Sequence, residues 1–252
     1  MSETAWRFLR PLAILAGLLA IWQAVQWVSQ APPYILPGPL AVAEVLATRW
    51  PHLLDHAWVT FAEILLGLVL GLLLGAASAL VIASFGAMRR WLLPVLVVSQ
   101  AIPVFALAPI LVVWLGYGMA SKVVMATLII YFPVTSAFFD GLRRTEPGWL
   151  DLARTMGGTR ARVLWHLRVP AALPALGSGL RVATAVAPIG AVVGEWVGSS
   201  AGLGYLMLQA NARMQVDVMF AALFVLAVFA VGLYFTVDRL VRRAVPWQAE
   251  ER

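Results

Sequence analysis

Apolar positions in this chain gather into long runs instead of alternating with polar ones. They span Leu12 to Val28, Trp58 to Phe85, Leu92 to Leu115, Val123 to Phe139, Ala171 to Val197 and Val218 to Val237. A helix of about 20 apolar residues crosses the hydrocarbon layer of a bilayer. Backbone polar groups in lipid must be satisfied within a helix or a closed barrel, and these runs lack the dyad alternation of barrel strands. The pattern therefore predicts an all-α polytopic membrane protein, with six transmembrane helices forming one membrane domain over residues 1–252.

The stretches between the runs carry their own signals. Four prolines between Pro32 and Pro39 remove backbone donors and predict a loop. From Leu40 to His56, Glu44, Arg49 and Asp55 are interleaved with Val42, Val45, Leu46 and Leu53, the pattern of one or two interfacial helices. The first run has a rival reading as a signal peptide, because Ser29-Gln30-Ala31 resembles a cleavage site. Its length, and Trp22, Gln23, Gln26 and Trp27 near its end, favour a retained helix.

Composition narrows the function. Of 252 residues, 62% are hydrophobic and 12% charged, which excludes an ordinary soluble enzyme. Cysteine is absent, so thiolate metal sites, cysteine nucleophiles and disulfides are excluded. The net charge of +6 comes from residues placed between apolar runs, as in membrane loops, and not from a nucleic-acid surface. With six crossings and an inner N-terminus, fourteen of the 18 basic residues fall inside, Arg7, Arg10 and Arg252 among them. Arg49, Lys122 and Arg213 fall outside and Arg181 lies within a crossing, so both termini are predicted to be cytoplasmic. Lys122 is the single lysine and follows Ser121, so the chain has no Gly-Lys-Ser/Thr phosphate loop. Any nucleotide hydrolysis that drives it belongs to another chain.

The longest inner connection, Arg143 to Pro170, reads as a helical hairpin. Glu146-Pro147 is a helix start, Trp149, Leu150 and Ala153 have helical spacing, and Gly157-Gly158 permits a left-handed stop. Thr159 caps a second short helix carrying Val163, Leu164 and Leu167, expected to end by Pro170.

The run Asp151-Leu152-Ala153-Arg154-Thr155-Met156-Gly157, continued to Leu167, Val169 and Pro170, resembles the "EAA" loop of permease subunits of binding-protein-dependent ABC importers. Counted from Asp151, Gly157 is seventh, Leu167 seventeenth, Val169 nineteenth and Pro170 twentieth, as in that pattern; Asp151 stands for its glutamate and Leu152 for its first alanine. The likeness extends over nearly the whole chain to the nitrate/sulfonate/taurine type, through Tyr34 to Pro39, Pro103 to Lys122, Gly179-Leu180-Arg181, Glu195 and Gly202-Leu203-Gly204. Gly194 to Gly198 and Asn211 to Gln215 look most like permeases for thiamine pyrimidine precursors such as hydroxymethylpyrimidine. Glu63 stands where many sulfonate-type members carry arginine, which weighs against a sulfonate.

The resemblance implies the type I ABC importer permease fold in a bacterial inner membrane. It also implies a second permease subunit in a homodimer, a cytoplasmic ATPase that holds ATP and Mg, and an extracytoplasmic solute-binding protein. The permease would carry no cofactor and no catalytic or metal site. Asp151, Leu152, Ala153, Arg154, Gly157 and Pro170 would contact the ATPase. The alternative substrates are sulfonate, taurine or nitrate; a different class altogether would be an ion-coupled carrier or a multi-spanning membrane enzyme.

Charges inside a membrane are expensive, so Glu63, Arg181 and Glu195 are candidates for the translocation path, with Trp196 beside Glu195 as a stacking surface. Glu195 alternatively snorkels to the interface. Gly67, Gly71 and Gly75, like Gly190, Gly194 and Gly198, recur every four residues and predict close helix packing. Pro103, Pro109, Pro133 and Pro188 interrupt their helices. His52 and His56 share a helical face without a third ligand, His166 lying across the membrane. Gly198 to Gly202 fits Gly-x-Ser-x-Gly, but no histidine follows it to act as base.

Overall fold

The computed structural model describes residues 3–99 and 101–247, except the side chains of residues 3–12 and 15. Arg252, counted above among the inner arginines, lies outside the described residues, as do the side chains of Arg7 and Arg10. The elements in chain order are α1 (Glu3–Ser29), α2 (Pro39–Thr48), α3 (Trp50–Ser84), α4 (Gly86–Ser99), α5 (Val104–Leu115), α6 (Met119–Arg143), α7 (Pro147–Thr155), α8 (Arg160–Val163), α9 (Val169–Gly198), α10 (Leu203–Ala212) and α11 (Val216–Ala244). Among the described residues there is no strand. Among these residues four helical stretches are long and apolar enough to cross a membrane, and the pair α4 and α5 would make a fifth. The first predicted crossing falls within α1, where part of the side chains is not described.

Three expectations change. The interfacial region ends at Thr48, and Leu53, Asp55 and His56 belong to the opening turns of α3, which runs unbroken for 35 residues. The third apolar run is not one helix: α4 and α5 meet at 99°. Proline at 103 removes a donor where the chain turns, and hydropathy is blind to such a bend. Pro170 does not end the hairpin's second helix, because a π turn over Leu164–Arg168, closed by the Val169 amide on the Leu164 carbonyl, joins α8 directly to α9. Pro170 then occupies the first turn of α9. The wider turn before it relieves the clash a proline ring makes with an α-helical carbonyl four residues back.

The core is a three-helix block with α6 in the middle. Gly67, Gly71 and Gly75 of α3 meet Ala126, Ile130 and Val134 of α6, so a four-residue ladder on one helix fits a four-residue ladder on the other. A Cβ on Gly71 would lie 2.8 Å from the Ile130 Cβ. From the other side, Gly190 and Gly194 of α9 press on the backbone of Ala126 and Lys122, with only 2.7 Å between a Cβ at 190 and the Ala126 Cα. Both glycine ladders therefore serve close packing, as expected from their spacing. Ile64, Ala126, Ile130, Val134, Ala183, Ala187 and Ala191 are buried between the three helices.

Candidate functional site

The chain's chemistry divides between two ends of this block. At one end, residues 143–168 form the hairpin. Helix α7 starts at Pro147 after Glu146 and stops at Gly157, whose φ of +76° lies in the left-handed region that glycine reaches without strain. Two bonds complete the stop: the Gly158 amide donates to the Ala153 carbonyl at 2.8 Å and the Gly157 amide to the Arg154 carbonyl at 3.0 Å. The Thr159 hydroxyl then accepts from the Arg162 amide at 3.4 Å and starts α8.

The candidate coupling residues occupy this element in two environments. Asp151 and Arg154 pair at 2.9 Å, both largely exposed. Leu152 is exposed as well, together with Trp149 and Met156, so α7 and its C-cap present an apolar face that nothing among the described residues covers. Ala153 is half-buried under the hairpin, Gly157 is exposed at its tip, and Pro170 lies below the π turn at its base.

At the far end is a buried polar hub that unites residues from α3, α6, α9 and α10. The first four amides at the start of α10 all find side-chain partners. Gly202 donates to His56 Nδ1 at 3.0 Å and Leu203 to Thr60 Oγ1 at 2.7 Å. Gly204 and Tyr205 donate to Glu195 Oε2 at 2.5 and 3.2 Å. The Thr60 hydroxyl in turn donates to Glu195 Oε1 at 2.6 Å. A helix start leaves four such donors unmatched, and its dipole favours an anion there; Glu195 supplies both remedies. His56 accepts through Nδ1, which places its ring proton on Nε2.

Lys122 makes the complementary arrangement. Its ammonium donates to the carbonyls of Tyr117, Gly118 and Gly198, filling its three donor positions. Gly198 is the last residue of α9, so a cation closes the negative end of one helix while a carboxylate closes the positive end of the next. Gly202, at φ +112°, packs against the Glu195 carboxylate, and a side chain there would displace it.

The candidate path residues separate accordingly. Glu63 and Glu195 are each 1% exposed and lie together in the hub, so Glu195 does not snorkel to the interface. Glu63 Oε2 meets no donor among the described residues. Trp196, next in sequence to Glu195, is 52% exposed and so is not buried with it. Arg181 is elsewhere: its Nε donates to Asp238 Oδ1 of α11 at 2.6 Å, while Asp238 Oδ2 accepts from Arg242 Nε at 3.0 Å. Lys122 is not the exposed loop charge that orientation counting assigned; it is 1% exposed inside the block, because its carbonyl partners replace water. Its status as the one lysine in the chain was the available signal. Thr60 and His56 gave none, since their partners lie 143 and 146 positions away.

Residues 45–248 match the family described as binding-protein-dependent transport system inner membrane component. A probable ABC transporter permease protein of Haemophilus influenzae is 58% identical over 95% of this chain and 98% of its own length. The formylaminopyrimidine transport permease protein ThiX of Halalkalibacterium halodurans is 34% identical over 99% of this chain and all of its own. The taurine transport system permease protein TauC of Escherichia coli is 30% identical over 95% of this chain and 90% of its own. Among solved structures, a chain of the inward-facing MetNI methionine ABC transporter superposes with a TM-score of 0.67 at 22% identity, covering 77% of this chain and 96% of that one. That likeness shows the fold. The ladder-packed block, the hairpin with its EAA-type spacing and the full-length relatives agree, and this chain belongs to the inner-membrane permease subunits of ABC importers.

Proposed function

We propose that this subunit passes a pyrimidine precursor of thiamine inward, powered by a separate ATPase that grips the 143–168 hairpin. The supporting observation is the uncovered face of α7: Trp149, Leu152 and Met156 stand exposed beside the Asp151–Arg154 pair on a helix whose two ends are fixed by Pro147 and Gly157. An apolar patch rimmed by charge suits a protein partner. Asp151, Leu152, Arg154 and Gly157 form the contact; Ala153 and Pro170 support it from beneath. ATP and Mg are held by the partner ATPase.

The substrate class rests on the full-length likeness to ThiX and on Glu63 in place of an arginine. Sulfonate or taurine is the second reading, favoured by the likeness to TauC. In this proposal two copies of the chain form the pore, both termini are cytoplasmic, and a solute-binding protein delivers cargo to the far end. Glu63 and Glu195 shape that end from within the wall, Trp196 offers a planar surface to the neighbouring copy or the cargo, and Arg181 braces α9 against α11 near the path.

The test is uptake into proteoliposomes holding the permease, its ATPase and its binding protein. ATP-dependent uptake of labelled formylaminopyrimidine or hydroxymethylpyrimidine, with taurine excluded, is expected. Uptake of taurine in preference selects the second reading, and uptake by the permease alone in a sodium or proton gradient overturns both.

A further inference from the structure

The hairpin stands on two roots, the end of α6 and the start of α9, and one side chain ties them. Arg168 donates to the Leu142 carbonyl twice, from Nε at 3.1 Å and from Nη2 at 2.8 Å. Leu142 lies in the last turn of α6, where carbonyls have no helical donor. A guanidinium supplies the missing donors and sets a positive charge against the negative end of the helix. The Thr145 hydroxyl adds a third bond to the same oxygen at 3.3 Å. Leu142 is fully buried, so the anchor point is fixed within the block.

Leu164 packs on the block, but the outer part of the hairpin stands away from it. A cavity of about 590 Å³ separates it from the end of α3, bounded by Ala83 and Phe85 on one side and Leu150, Arg154, Trp165 and Arg168 on the other. The link from Arg143 to Glu146 is tied to α6 by the Arg144 amide on the Asp140 carbonyl and the Thr145 hydroxyl on the Leu142 carbonyl, while Arg143, Arg144 and Glu146 are exposed. A projecting element with an open cleft beneath it and a short link at one root would bend at that link when pushed. Arg168 prevents this by closing the base into a ring 26 positions around. The π turn that ends on Arg168 takes up one residue more than an α turn and so sets the direction of this side chain relative to the face of α7.

We propose that Arg168 is the positioning residue through which displacement of the hairpin reaches α6 as well as α9. Without it, a push on α7 enters α9 through the continuous α8–α9 helix but is lost at the 143–146 link before α6. This deepens the proposed function and rests on it for the source of the push.

Two measurements on Arg168→Met, which keeps the length and apolar stem but no donor, separate the clamp from its use. Hydrogen exchange on the purified permease alone should accelerate about tenfold across residues 143–158, the effect of a lost bond to a charged donor, and stay unchanged at Gly202 to Tyr205. Unchanged exchange in the hairpin overturns the clamp. In proteoliposomes with ATPase and binding protein, solute moved per ATP hydrolysed should fall about tenfold while ATPase binding and hydrolysis persist. Arg168→Lys, with donors but no fork, should recover part of that ratio, which a mere packing role would not give. A wild-type ratio in Arg168→Met overturns the transmission role and leaves the proposed function standing. No ATP-driven transport by the wild-type complex refutes the proposed function and the transmission role together, while the exchange result still judges the clamp.

Discussion

The hairpin and the far-end hub use the same chemical parts, a carboxylate, a cation and helix ends, in opposite ways. Asp151 and Arg154 meet at 2.9 Å on an exposed face. Glu195 and Lys122 are buried, and between them hold two backbone amides, a hydroxyl and three carbonyls. Exposure makes the first pair weak in stability and available for a partner. Burial makes the second set costly to disturb and unavailable. The buried charges Glu195 and Lys122 serve as joints between helix ends, while the charges proposed to meet a partner are the solvated ones.

The largest effect expected from breaking this contrast is at Glu195. Glu195→Ala leaves the Gly204 and Tyr205 amides and the Thr60 hydroxyl without their carboxylate acceptor and removes one of the two carboxylates near Lys122, the other being Glu63, and should lower stability by about 3–5 kcal/mol. Denaturation of the purified permease in mild detergent reads this, and Glu195→Gln, which keeps an acceptor oxygen, should recover a good part. Full stability in the alanine variant would mean that the hub is not a joint.

A middle effect is expected at the hairpin tip. Gly157→Val forces a β-branched residue to φ +76° in otherwise open space, a backbone cost of about 1–2 kcal/mol with no clash. Membrane insertion and the stability of the block should survive, while ATP-driven uptake is abolished. The smallest effect is at the exposed pair: Asp151→Asn should change stability by no more than about 0.5 kcal/mol, as a solvated i,i+3 pair does. A measured ATPase affinity that falls while the melting curve stays in place would sharpen the division between the two ends.

Features that depend on near neighbours were legible before the structure. The start at Glu146-Pro147, the stop at Gly157, the Thr159 cap and the glycine ladders are local signals, each fixed by residues within one or two turns. Pro170 was misleading because its effect depends on the turn before it, and a π turn leaves no mark in residue spacing. Pro103 marks an interruption between α4 and α5, but its size has no local signal, because Ser99 and Gln100 are too few to break the apolar run. The hub was invisible as a unit: Thr60 and Glu195 are 135 positions apart, and the use of Glu195 as a cap exists only once α10 has folded back on α9. Asp238 likewise carries no local signal, since its partner Arg181 lies 57 positions earlier.

The two glycine ladders have a mechanical consequence. With α6 meshed on one side with α3 and on the other with α9, none of the three can slide lengthwise by less than one tooth, about 6 Å for four residues, without driving a methyl group into backbone. Such a trio travels as a single rigid wedge. Whatever opens and closes around the cargo must therefore pivot at the wedge's borders and leave its interior unsheared.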